Sequence, residues 1–321
     1  MPKNTGVTIV GAQDGGDTIK GSPRGHDVLI ARGWNNLILS HLGADTIYAG
    51  SGSATVEGGF GAKTIFLSGY HNLVITRDPT ITGSLGDTMI VVGNVASSIS
   101  TGGYANMIHG GDGRDTVQAG AGADTVVLGS GDDRVQLGGW NNAVTLGGGA
   151  NSVSGSQGGT AIVAGDGNST LIAGGYANLL RVGNGDNRVD AGAGHSTVIA
   201  GTGHDSINLG GWNNTVSLGG GAATIVAGLG ADQISMSGGT LDLIGGQDEQ
   251  VAVGAGFAAA IVDQAAGLTV HLGIGGTLSA SDDGAGGTTV ALNGPGGVLV
   301  ATVDLIGMSS ASAALAMVRI G

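Results

Sequence analysis

Residues Ala105 to Asp248 read without a gap as sixteen units of nine: ANMIHGGDG, RDTVQAGAG, ADTVVLGSG, DDRVQLGGW, NNAVTLGGG, ANSVSGSQG, GTAIVAGDG, NSTLIAGGY, ANLLRVGNG, DNRVDAGAG, HSTVIAGTG, HDSINLGGW, NNTVSLGGG, AATIVAGLG, ADQISMSGG and TLDLIGGQD. The fourth place of every unit is aliphatic, from Ile108, Val117 and Val126 through Val189 and Val198 to Ile234 and Leu243. A period this strict decides the fold before any local propensity is weighed.

Within a unit such as Val135-Gln136-Leu137, apolar and polar side chains alternate, which is the period of a strand buried on one face. The glycine-rich remainder supplies a tight turn, where positive φ disfavours residues with a Cβ. A strand of about three residues cannot bury its face alone, so it must stack on its neighbours. Two units then form one coil of 18 residues with a strand and a glycine-rich turn on each side, and successive coils stack about 4.8 Å apart. The second inward position holds Leu128, Leu137, Leu146, Ala164, Ala173, Val182, Leu209 and Leu218. The expected class is all-β, a right-handed parallel β-roll or β-solenoid.

Outward from this core the frame holds less strictly. It runs from Asp27 through Asn36, Asp45, Ala54, Lys63 and Asn72, then loses two residues before Asn106, across Arg77-Asp78-Pro79. Proline cannot donate to a central ladder, so a bulge or local loop is expected there, with the roll continuing beyond it. We therefore expect an irregular start over 1–33, the roll over 34–248 with an irregular segment near 75–104, and a β-rich cap with a tail over 249–321. In the last part Leu268–Leu272, Thr288–Leu292 and Val298–Leu305 read as longer strands, and Ser309–Val318 as a short helix or an extended tail.

The 321 residues carry a formal net charge of −13 with eleven Lys and Arg, and no cysteine. That balance argues against nucleic acid and anionic membrane as partners and suits a hard cation held by acidic loops. The N-terminal MPKNTGVTIVGAQDGG lacks the regions of a cleavable signal peptide, and no apolar run reaches membrane-spanning length. Export, if it occurs, is expected to use another route.

Gly110-Gly111-Asp112-Gly113-Arg114-Asp115-Thr116-Val117-Gln118 matches the pattern GGxGxDxUx at every place, and the next two units keep Gly122-Ala123-Asp124 and Gly131-Asp132-Asp133. In this the chain resembles the RTX (repeats-in-toxin) calcium-binding β-roll family over roughly residues 11 to 250, and its last forty residues resemble the C-terminal strands and secretion tail of type I exported proteins. The resemblance implies Ca2+ between turns two units apart, held by aspartates and backbone carbonyls, and an extracellular or cell-surface location. Carried onto this sequence, the candidate ligands are Asp27, Asp45, Asp115, Asp124, Asp133, Asp205 and Asp232. Only Asp27 with Asp45 and Asp115 with Asp133 recur at eighteen; Asn142, Asn151, Ser169, Asn178, Asn187, Ser196 and Asn214 occupy the same column elsewhere.

A second period overlies the first. Trp34, Tyr70, Tyr104, Trp140, Tyr176 and Trp212 each replace a turn glycine, 36 residues apart except for one step of 34. Such rings do not fit a thin core, so they should line one edge, one every two coils. Three readings stand: each ring shields neighbouring glycine turns, the row meets another subunit, or it stacks on an extended polysaccharide.

The chain contains neither an HExxH zinc helix nor a GxSxG elbow, and its histidines are scattered, so the reading is not an enzyme. The expected function is an extracellular structural protein, a calcium-assisted roll assembling with itself into a filament, surface layer or biofilm matrix. The alternative is a polysaccharide-binding adhesin using the aromatic row.

Overall fold

The computed structural model describes residues 6–263, 268–273 and 275–320. The first five residues, part of the segment read for a signal peptide, lie outside them. The chain divides into two compact units, residues 1–161 and 162–321. Both are parallel β-solenoid, and together they hold about 14 turns of roughly 18 residues.

In the first unit each short strand pairs in parallel with the strand one coil on. Thr116–Gln118 pairs with Arg134–Leu137, placing Val117 beside Val135, and that strand pairs with Ser152–Gly155, placing Val135 beside Val153. On the other side of the coil Ile108 stands beside Val126 and Val126 beside Val144. The second unit repeats this, with Val189 beside Ile207 and Val198 beside Val216. Like therefore stacks on like, and all sixteen fourth-place aliphatics are at most 1% exposed. Leu137, Leu146, Leu209 and Leu218 close the second inward row at 5% exposure or less.

The irregular stretches also have a structural form. The first coils are longer, since Thr8 pairs with Val28 and Thr18 with Leu37, before the step settles at 18. At the expected fault, Thr55–Leu67 and Leu73–Gly83 are continuous strands running through what is elsewhere a turn, with register breaks between Glu57 and Ala62. Lys63 pairs with Pro79 and Leu73 with Met89, each 16 apart, while Thr80 pairs with Ser98, 18 apart, so the two missing residues fall between Leu73 and Thr80. The roll then continues.

Parallel pairing runs past Asp248, through Gln250–Asp263 and Thr269–Leu272. The end is covered by an antiparallel set, Thr277–Asp282, Thr288–Asn293 and Leu299–Ile306, the last of which returns to pair in parallel with Gln250–Asp263. The strand Thr277–Asp282 was not read from the sequence. Ser309–Val318 contains the helix Ala311–Met317, capped by the Ser310 hydroxyl, with Ala314 fully buried. The chain then pairs Val318–Ile320 with Thr269–Leu272.

The strand Thr170–Ala173 offers a paired test of the core. Leu171 is fully buried and its neighbour Ile172 is 43% exposed. Leu171→Ala should lower stability by about 2–5 kcal/mol, through lost burial and a cavity. Ile172→Ala should stay within about 0.5 kcal/mol of the parent. Urea unfolding followed by circular dichroism measures both.

Candidate metal sites and the aromatic edge

The residue just before each strand has a buried N–H that the strand ladder does not serve. It is served instead by a side chain one coil on. Asp133 Oδ1 accepts from the Asp115 amide at 2.8 Å, Asp115 from Ser97 at 2.8 Å and Asp124 from Asn106 at 2.8 Å. Asp45 accepts from Asp27 at 2.8 Å, Asp27 from Val7 at 2.8 Å, Asp205 from Asn187 at 3.2 Å and Asp232 from Asn214 at 2.7 Å. Asparagines in the same column do the same, as Asn142 Oδ1 does for Asp124 and Asn151 for Asp133, both at 3.0 Å. The seven aspartates read as candidate ligands thus all stand in buried turn-closing positions, 0–3% exposed.

Asp and Asn differ in what the second atom does. Asn142 Nδ2 donates to the Gly138 carbonyl at 2.8 Å, and Asn187 Nδ2 to Gly183 at 3.3 Å and Gly185 at 2.9 Å, so the amide ties up its own turn. An aspartate has a second acceptor there and nothing to donate. The Oδ2 atoms of Asp115, Asp124 and Asp133 are buried without a hydrogen-bond partner. Asp115 Oδ2 lies against Gly110, 2.4 Å from where a Cβ on that residue would stand, so only glycine leaves room for it. Burial pushes the Asp115 carboxyl up to about 6, with the Asp133 charge adding to it, and burial likewise raises Asp124, Asp133, Asp205 and Asp232.

An orphaned carboxylate oxygen in a glycine turn is what a hard cation would satisfy. Among the described residues no three acidic, histidine or cysteine side chains cluster as a metal cage. An ion here must therefore take most of its ligands from backbone carbonyls, with Gly111 and Gly113 standing before Asp115 and Gly129 and Gly131 before Asp133. Bound there, Ca2+ would supply the positive charge that lets those carboxyls stay ionised.

Glu249 was missed by the sequence reading. It is fully buried, occupies the column position after Asp232 and has both Oε atoms without a partner. Burial raises its carboxyl, with the charges of Asp232 and Asp248 adding to it. The signal was present but displaced: the step from Asp232 is one residue short of the period, and the residue is Glu.

The aromatic residues stand in the turns on one side of the coil, alternating with glycine. Gly15 bridges to Trp34, Trp34 to Gly52, Tyr70 to Gly86 and Gly86 to Tyr104. A Cβ on Gly52 would stand 2.9 Å from the Trp34 ring, and one on Gly122 would meet Tyr104 at 2.3 Å. The Trp34 ring thus packs against the glycine of the next coil, while Tyr104 approaches Gly122 through its Cβ. Trp34, Tyr104, Trp140, Tyr176 and Trp212 nonetheless remain 47–57% exposed, and Tyr70 is half-buried. Trp212 Nε1 also donates to His195 Nε2 at 3.0 Å.

The raised carboxyls set a pH dependence with a definite sign. Asp115 titrates near 6 in the fold, against an ordinary value of about 3.9 for an unfolded chain. Below about pH 4 it is neutral in both states, and as pH rises through 6 the fold must bury a charge, so stability falls. In EDTA the thermal midpoint should therefore be higher at about pH 5 than at about pH 7.5. Calcium should reverse the order, because the ion needs the deprotonated form and acid displaces it. Asp115→Asn, which supplies the missing donor, should raise the midpoint in EDTA at the higher pH and shrink the calcium effect. Differential scanning calorimetry with and without calcium checks each part.

Residues 24–56, 100–135 and 163–198 match the RTX calcium-binding nonapeptide repeat (4 copies). The first two segments contain Asp27, Asp45, Asp115, Asp124 and Asp133; the third closes its turns with Ser169, Asn178, Asn187 and Ser196. No curated protein and no solved structure matches the chain. Over these three segments the chain carries RTX calcium-binding nonapeptide repeats on a parallel coil, an arrangement consistent with an RTX-type β-roll protein, and the ion that such repeats bind is Ca2+.

Proposed function

We propose that the chain is an extracellular structural protein, a calcium-assisted β-roll that joins copies of itself into a filament, surface layer or biofilm matrix. Export by a type I system belongs to the same reading. What supports it is the open first edge of the roll. Among the described residues Thr8–Val10 pairs only with Val28–Ile30, and Thr18–Lys20 only with Leu37–Leu39. Gly11 donates to Ile30 and Val7 accepts from Val28, so by strand alternation the amides of Thr8 and Val10 point away from the roll. Unpaired strand edges template pairing with another chain. Among the described residues no helix is long and apolar enough to cross a membrane.

A second reading, a polysaccharide-binding adhesin, draws on the half-exposed ring faces, which recur about 9.6 Å apart where they stand on alternate coils. Two measurements separate the readings. Electron microscopy and light scattering in calcium should show ordered assemblies of the parent. Val10→Pro, which removes an outward N–H and leaves the inner pairing intact, should show fewer; only monomers at high concentration would sink the first reading. Retention on insoluble cellulose that is unchanged when Trp140, Tyr176 and Trp212 are replaced by Ala would sink the second.

A further inference from the structure

Lys63 heads the largest fully buried side chains of the protein. It stands one coil after Asp45, in register with it, at a column position held in most other coils by an acidic or small polar residue. Its ammonium lies 2.9 Å from Asp45 Oδ2, with the two side chains 0% and 1% exposed. The same nitrogen donates to the carbonyls of Phe60 at 2.9 Å, His41 at 3.3 Å and, most closely, Gly43.

His41 and Gly43 are four and two residues before Asp45. These are the places whose carbonyls Asn187 Nδ2 takes in its own turn, at Gly183 and Gly185, and Asn151 Nδ2 at Gly147 and Gly149. The ammonium therefore sits between an aspartate's second oxygen and the turn carbonyls of the coil before it. At Asp115, Asp124 and Asp133 that oxygen is orphaned; at Asp45 it is ion-paired and also bonded by the Ser40 hydroxyl. The Asp45 carboxyl accordingly behaves unlike the others. Burial works to raise it, but the Ser40 hydroxyl, the Asp27 amide and Lys63 outweigh that and hold it below the ordinary range.

We propose that Lys63 is a tethered cation filling the position between coils that Ca2+ takes at the aspartate turns, so that this part of the roll is closed without metal. The segment from Leu39 to Leu67 then stays folded when calcium is absent and offers the coils on either side a formed edge to build on. Without the ammonium, the same carbonyls and Asp45 form a site for a divalent oxygen-loving cation. The inference rests on the calcium reading of the aspartate turns and is independent of any assembly.

Amide hydrogen exchange on the full-length parent tests it directly, in EDTA and in calcium. The amides of Leu39–Leu67 should be protected in both, changing by less than about tenfold, whereas those of Gly110–Val135 should slow by more than that when calcium is added. Calcium slowing Leu39–Leu67 as much as Gly110–Val135 would overturn the proposal. Lys63→Asp places a carboxylate opposite Asp45, as Asp133 stands to Asp115. It should bind one more calcium ion than the parent by native mass spectrometry and make the protection of Leu39–Leu67 depend on calcium. An unchanged ion count in the folded variant also overturns the proposal, and should the variant not fold, the exchange of the parent decides alone.

Discussion

Every coil of this roll leaves a backbone problem that strand pairing cannot solve. The residue before each strand has a buried N–H, and the glycine turn before it turns carbonyls inward. Buried backbone groups must find partners, and a turn of glycines has no side chains to offer. The column residue answers the first half, with one oxygen accepting the N–H of the coil before. The second half calls for positive charge or a donor, and the chain meets it in three ways. Asparagine supplies an amide, lysine supplies an ammonium, and Asp115, Asp124 and Asp133 leave an oxygen open to an ion.

The three solutions differ in what they make the fold depend on. An amide is present at any pH and any calcium level. An aspartate turn is strained by its own charge at neutral pH until an ion arrives, as the elevated Asp115 shows. Distribution along the chain then becomes informative: the first matched repeat includes the lysine-served Asp45, the second is rich in aspartate and the third in asparagine and serine. A cation at the aspartate turns would thus strengthen selected parts of a roll whose other turns are closed by its own atoms.

Much of this was legible in the sequence because the aliphatic column is a one-dimensional code. Val117, Val135 and Val153 could be placed in one stack from their spacing alone, and the structure buries all of them. The longer cap strands and the fault near Pro79 were legible for the same reason, as breaks in a known period. Residue type misled where position mattered more. Lys63 and Glu249 sit in the polar column, but a search for aspartates at eighteen passes over both. The roles of Asn and Asp were likewise indistinguishable until the second side-chain atom could be followed to its partner. The aromatic row was visible as a period, whereas the packing of the Trp34 ring on Gly52 one coil on was not.

The alternation of ring and glycine along one edge constrains how such a chain can change length. Nine residues encode a strand and a turn, yet strands pair at eighteen, so gain or loss of a single unit would exchange the two sides of every later coil. Gain or loss of eighteen preserves both ladders but breaks the alternation, setting aromatic against aromatic or glycine against glycine, where Gly52 now leaves room for the Trp34 ring. A step of two coils, thirty-six residues in the regular parts, leaves both the pairing and the edge intact. The structural module that keeps both is four repeats long, although each repeat looks complete when read alone.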